Sequence, residues 1–186
     1  MWFMERLAVK KAIRLYFEKK RHVTIPWNTI EISQDSTSTP SYKILSGRHL
    51  KYERDTSISF SHVGNIAIGG IITKSIDGSL GVHVEKIRRF RQSFLKAFLT
   101  KEEVGEVKRY KKPENRNKTA TMFWSIKEAY LKYRIPKVHP KEIKIVRLRK
   151  DMYEVYECIS SKCVLKAQAK SWVPQKGFVA SEVYIK

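Results

Sequence analysis

The chain of 186 residues is short of acid: 18 Asp plus Glu stand against 38 Lys plus Arg, a formal net charge of +20. It has no run of ~18 apolar residues, and nothing at Met1-Trp2-Phe3-Met4-Glu5-Arg6 resembles the apolar core or cleavage site of a secretory signal. It has two cysteines, Cys158 and Cys163, with neither zinc spacing nor a paired-cysteine redox motif. These shortages exclude a membrane-spanning helix and a zinc-held fold, and make the cytoplasm the expected compartment. There the two cysteines are expected as reduced thiols, although they lie in a strand, turn and strand that a hairpin would bring close. What is present is a globular composition, 42 % hydrophobic and 11 % aromatic, which puts the charge on a folded surface rather than a disordered tail. A surface of one sign asks for a polyanionic partner: nucleic acid, an anionic membrane, an acidic protein or a phosphate-rich cofactor.

The charge is not spread evenly. Residues 1 to 22 carry +5, 23 to 85 carry −1, 86 to 150 carry +15 and 151 to 186 carry +1. Such concentration points to a docking surface or an anion site, with a solvated helix face as the plainer alternative.

Between Met4 and Lys20, Met4, Leu7, Ala8, Ala12, Leu15 and Tyr16 recur at helical spacing, and Val9, Ile13 and Phe17 widen the stripe. The polar face of this helix presents Arg6, Lys10 and Arg14, a cationic row placed to meet phosphates or water. A strand over 29 to 33, a turn-rich loop from Gln34 to Pro40, and strands over 57 to 60, 65 to 73 and 80 to 85 follow. Helices are predicted over 89 to 98, 102 to 110 and 121 to 133, with a capping box at Thr100 and Glu103 and a polar loop over 111 to 118. Four strands, 142 to 148, 152 to 159, 163 to 169 and 178 to 185, read as an antiparallel meander. Ala8-Val9-Lys10-Lys11-Ala12 faintly repeats in Ser125-Ile126-Lys127-Glu128-Ala129, each in a helix followed by strands. The expected class is therefore α+β, with two pseudo-equivalent lobes of a helix on an antiparallel sheet: a shortened N-terminal lobe over 1 to 75 and a second over 76 to 186.

Three groups of residues carry chemistry. In Gly81-Val82-His83-Val84-Glu85, strand alternation projects His83 and Glu85 from one face about 7 Å apart, close enough to converge on a cation. On the third helix, Glu128 and Lys132 share a face one turn apart. Ser61-His62 ends the strand begun at Ser57. Taken in order, Ser59-Phe60-Ser61-His62, Leu80 to Glu85, Phe98-Leu99-Thr100-Lys101-Glu102-Glu103 and Phe123-Trp124 to Lys132 resemble the 4′-phosphopantetheinyl transferase superfamily, in its larger, two-lobe type that activates peptide and polyketide synthases. That resemblance covers about residues 5 to 148 and is specific in its second half.

It implies an enzyme that moves the phosphopantetheine arm of coenzyme A to a serine on an acyl or peptidyl carrier protein, with Mg²⁺ or Mn²⁺ on the pyrophosphate, at a site between the lobes. By carry-over, His83, Glu85 and Glu128 stand at metal positions. Glu128, or a water beside it, would help deprotonate the serine, and Lys132 would hold phosphate. Ser61 and His62 match contacts to the 3′-phosphate, Arg6 a basic residue on the nucleotide side, and Pro40 the end of the adenine loop. Lys10 joins the candidate CoA contacts through the cationic row. Lys127 joins them by motif, although on a helix it points about 100° away from Glu128. An acidic carrier protein would dock on the basic 86 to 150 segment.

The pattern breaks at His83, at the short N-terminus, and before Pro40, where the family loop usually has a Gly. His83 stands where the family has its principal metal-binding Asp, which removes a charge and offers Mg²⁺ a softer donor. Three readings stay open: an active enzyme with altered metal preference, a transferase-like protein with weak or lost catalysis, and an introduced or inactivating change. The helix that starts near Met4 also lacks the strands that precede it in larger relatives, which leaves room for a partner chain to complete the first lobe. A noncatalytic module that keeps the CoA or carrier surface is thus the alternative function. Nucleic-acid binding is allowed by the charge but has no motif.

Overall fold

A computed structural model describes residues 2–34, 39–45, 53–74, 78–133, 138–160 and 162–185. Helix α1 (Trp2–Arg21) opens the chain, followed by the antiparallel pairs β1 (Ile30–Gln34) with β2 (Pro40–Ile44) and β3 (Thr56–Val63) with β4 (Ile66–Thr73). Val9, Ile13 and Phe17, four residues apart, are fully buried against Ile25, Ile30, Tyr42, Ile44, Ile58 and Phe60. Each of these large side chains contributes about 1.5–3 kcal/mol by leaving water. The stripe is rotated from the predicted one: Met4, Leu7 and Leu15 are 45 %, 40 % and 43 % exposed. Gly69 on β4 explains the choice of face. A Cβ there would lie 2.5 Å from the Val9 nitrogen, so only glycine lets α1 settle on the strand along the Val9 line.

The second half begins with β5 (Ser79–Lys86) and continues through α2 (Gln92–Phe98), α3 (Lys101–Arg109) and α4 (Pro113–Leu131). It ends in β6 (Ile143–Arg149), β7 (Met152–Ile159), β8 (Lys162–Trp172) and β9 (Phe178–Ile185). The predicted meander is present. β5 pairs with the last strand, giving an antiparallel sheet in the order β5-β9-β8-β7-β6. Phe123, Ile126, Ala129 and Tyr130 of α4 pack with Val155, Ala167, Ala169, Val179 and Val183 of that sheet in one buried cluster. The architecture is α+β, with helices on antiparallel sheets in both halves. The boundary expected at 75 and 76 falls at residues 75–77, outside the described residues.

Three local expectations are corrected. The polar stretch over 111 to 118 is no loop: Pro113 occupies a first-turn position of α4, where its missing N–H costs nothing and its fixed φ suits the helix. The Gln34 to Pro40 segment is flanked by a missed strand, since Pro40 pairs with Gln34 at the end of the β1–β2 ladder. Cys158 and Cys163 are not free thiols but a disulfide, because β7 and β8 place them directly opposite each other, with Cα atoms 4.1 Å apart.

The two halves meet along β3 and β5. The Oγ atoms of Ser57, Ser59 and Ser61 accept hydrogen bonds from the backbone N–H groups of Leu80, Val82 and Val84, at 3.2, 3.0 and 3.3 Å. Strand alternation on β3 thus supplies a ladder of hydroxyls in register with the outward donors of β5.

Candidate active site

β5 is held between two layers. On one face, a Cβ at Gly70 of β4 would meet the Leu80 side chain at 2.7 Å. On the other, a Cβ at Gly81 would lie 1.9 Å from the carbonyl oxygen of Ala129, so α4 lies directly on the strand. The Ser125 hydroxyl donates to the His83 carbonyl across the same contact at 3.3 Å. Alternation puts His83 and Glu85 on the Gly81 face, toward α4, while Ser125, Glu128, Ala129 and Lys132 form the facing side of the helix.

Where α4 ends, its last turn reaches the N-terminal half. The Lys132 ammonium donates to the Phe60 carbonyl of β3 at 2.6 Å, and the Tyr133 hydroxyl donates to the Ile58 carbonyl. The outer side of Lys132 is exposed, but its head turns inward. Burial of that head pushes its pKa down to about 8, against the pull of Glu5 and then Glu128. Beside it, Nδ1 of His62 lies 2.8 Å from Oε1 of Glu5, in the first turn of α1. Three elements that are distant in sequence thus meet at one end of the seam.

The predicted cation site is only partly formed. His83 Nε2 and Glu85 Oε2 face each other at 4.0 Å, beyond hydrogen-bond reach, and the Nε2 atom is buried without a hydrogen-bond partner. Glu85 Oε1 accepts from the Lys86 N–H at 3.0 Å, while Oε2 lies 3.9 Å from the Arg88 guanidinium. Burial raises the Glu85 pKa, but His83, the Lys86 N–H and Arg88 outweigh it and leave the carboxyl below its ordinary value. Its oxygens are therefore turned along the strand toward Lys86 and Arg88. Among the described residues no group of three His, Cys, Asp or Glu is arranged to hold a metal ion. His83, Glu85 and Glu128 share a region without assembling the expected three-donor set, and an imidazole in place of a carboxylate does not suit the hard oxygen shell of Mg²⁺.

Lys127 is corrected outright as a coenzyme contact. It is fully buried, 2.7 Å from Glu103 Oε2, and donates to the carbonyls of Phe98 and Pro140 at 3.0 and 2.8 Å. Its protons are spent inside the protein. Burial pushes the Lys127 pKa down and that of Glu103 up, with the pair opposing both shifts. The Thr100–Glu103 capping box is present, yet the same carboxylate also accepts from the Ile145 N–H of β6 at 2.9 Å. Glu103 therefore joins α3, α4 and β6. Trp124 packs edge-on against Phe94 and Phe98, a helix-packing role.

Of the other candidates, Ser61 is buried in the seam, its Oγ engaged with Val84. Arg6 and Lys10 line a cleft of about 760 Å³ between α1 and β1, with Phe3, Leu7, Trp27 and Ile32 among its walls. Lys10 Nζ also donates to the Trp27 carbonyl at 3.3 Å. Arg14 is tied down by its bond to the Ile25 carbonyl and by the Trp27 ring beneath it. Sequence reading missed Glu5, which only the fold brings to His62, and Tyr133, for which no local pattern exists.

A family model for the 4′-phosphopantetheinyl transferase superfamily matches residues 79–181. That is more than half of the chain, and the protein belongs to this superfamily. Among solved structures it is similar to the holo-[acyl-carrier-protein] synthase of Thermotoga maritima, at 15 % identity and a TM-score of 0.41, with 57 % of this chain and 62 % of that one covered. It is also similar to the holo-(acyl-carrier-protein) synthase of Bacillus anthracis str. Ames, solved in complex with CoA (3′,5′-ADP), at 18 % identity and a TM-score of 0.40. Coverage there is 57 % of this chain and 93 % of that one. No curated protein matches the sequence.

Proposed function

We propose that the protein transfers the 4′-phosphopantetheine arm of coenzyme A to a serine of an acyl or peptidyl carrier protein. Superfamily membership supports the reaction class, and one observation supports the place: His62 from the first half and Lys132 from the second converge at the end of the β3–β5 seam. In this reading the serine oxygen attacks the phosphorus that bears the pantetheine arm. The P–O bond to adenosine 3′,5′-bisphosphate breaks, and the leaving phosphate takes the electron pair. Such a transfer asks the protein mainly for in-line positioning and for cationic groups near the developing charge.

Lys132 supplies a donor with protons left over after its bond to Phe60, and His62 a second donor. Glu128, on the α4 face that lies along β5, takes the serine proton directly or through a water. Arg6 and Lys10 in the α1–β1 cleft serve the nucleotide end, with Pro40 at the adjoining hairpin. No step is assigned to a divalent metal, because the His83 and Glu85 pair does not fit one as arranged. Exposed Arg88, Arg89, Arg91, Lys108, Arg109, Lys111 and Lys112 form the face for an acidic carrier protein, with attraction that weakens as salt rises. The cytoplasm, where coenzyme A is available, is the proposed compartment. No described helix is long and apolar enough to cross a membrane.

A second reading, a module that binds CoA or carrier protein without efficient transfer, is favoured by the unassembled donor set. Intact-mass analysis separates the two. Incubation with CoA, an apo carrier protein and either Mg²⁺ or Mn²⁺ adds the phosphopantetheine mass to the carrier if the first holds. CoA binding without that addition, under both metals, supports the second and overturns the first.

A further inference from the structure

We propose that the Glu5 carboxylate is an internal occupant of the anion site made by His62 and Lys132, and that a phosphate group of the nucleotide substrate must displace it. The inference rests on the reading above, in which His62 and Lys132 receive phosphate. Glu5 Oε1 is 2.8 Å from His62 Nδ1, with side chains 19 % and 30 % exposed, so the contact is at the rim of the site and open to exchange. Of the two acids that attract the Lys132 ammonium, Glu5 has the larger effect and Glu128 the smaller. The hydrogen bond from Lys132 to Phe60 is to a neutral carbonyl, so among the described residues it is Glu5 and Glu128 that offset the charge of the ammonium.

A carboxylate and a phosphate present the same kind of oxygen acceptor to an imidazole and an ammonium. The segment that carries Glu5 is mainly cationic: residues 1 to 22 hold seven basic side chains and only Glu5 and Glu18 as acids. An acid at that one point, in contact with a residue brought from β3, keeps His62 and Lys132 oriented while no substrate is bound. It also sets a threshold, since a ligand must offer more charge than one carboxylate to take the donors. That favours doubly charged phosphate groups over chloride or monoanions, and it eases release of the bisphosphate product.

The rival role is positioning: if Glu5 only orients His62 for the ligand, its loss weakens binding. The two roles predict opposite signs. Wild type, Glu5→Gln and Glu5→Asp are titrated with CoA and with adenosine 3′,5′-bisphosphate by calorimetry at low and at 0.5 M salt, after circular dichroism has checked folding. Displacement predicts about tenfold tighter binding of both ligands to Glu5→Gln, on the order of one part-buried charge interaction, and a smaller gain for Glu5→Asp. The gain shrinks at 0.5 M salt and vanishes when Glu5→Gln is combined with Lys132→Ala. Equal or weaker binding by Glu5→Gln, with wild type binding measurably, overturns the proposal and leaves the site reading intact. Absence of binding by wild type and variants alike overturns the site reading and this proposal together.

Discussion

The Lys127 ammonium lies 2.7 Å from the Glu103 carboxylate, and neither side chain is more than 1 % exposed. A lysine that the motif offers to the coenzyme is instead the internal strut between α3 and α4. Removing one member of such a pair strands the other charge in the core. Lys127→Met is expected to cost about 3–5 kcal/mol in urea unfolding. In whatever fraction stays folded, CoA affinity is expected to match wild type. A normal midpoint together with lost CoA binding would return Lys127 to the substrate site.

Lys132 behaves differently because its pKa is lowered to about 8. Between that value and the ordinary 10.5 the unfolded chain holds more protons than the folded one, so this group's effect on stability improves as pH rises across the window. A bound phosphate reverses the balance by favouring the ammonium. CoA binding at pH 9 is therefore expected to take up a proton, read as a dependence of calorimetric enthalpy on buffer ionisation. Lys132→Ala is expected to abolish the uptake and weaken binding by roughly tenfold. Uptake that persists in the variant would assign the proton elsewhere.

His83→Asp restores a carboxylate beside Glu85 and replaces a neutral ring by a hard donor. The variant is expected to transfer the arm at least about tenfold faster than wild type in Mg²⁺ and to show measurable Mg²⁺ binding by competition with an indicator. An unchanged rate in Mg²⁺, with Mg²⁺ binding restored, would mean that His83 is not what limits the chemistry.

The seat of α4 on β5 can be tested at Gly81, where an added methyl would meet the Ala129 carbonyl at 1.9 Å, a backbone atom that has no rotamer to escape by. Gly81→Ala is expected to cost about 3 kcal/mol in denaturant unfolding. Gly105→Ala, where nothing lies within 4 Å and the residue is helical, is expected to be neutral or slightly stabilising. Comparable losses at both positions would remove the close approach as the cause.

Much of the second half was legible, because its signals are local. The alternation around β5, the Thr100–Glu103 cap and each strand of the meander show within about ten residues of chain. The motif that carries the resemblance also lies there. What escaped depends on contacts at long sequence separation. The burial of Val9, Ile13 and Phe17 instead of Leu7 and Leu15 is decided by Gly69, some sixty residues away. Lys127 reads as a motif lysine until Glu103 and the Pro140 carbonyl close around it. Glu5 reads as an ordinary first-turn acid until β3 brings His62 to it. The disulfide departs from expectation for a different reason: the expected compartment favours reduced thiols, but strand register places the two sulfurs together.

The serine ladder on β3 has a consequence for how the protein meets other chains. β5 is the border strand of its sheet, and a border strand normally offers a row of unfilled N–H groups to any extended segment that drifts past. Here the donors of Leu80, Val82 and Val84 are already occupied by hydroxyls of the same molecule. This border is closed to strand addition, so any partner chain, a second copy of this one included, must be recognised through side chains and charge rather than by lengthening the sheet at β5.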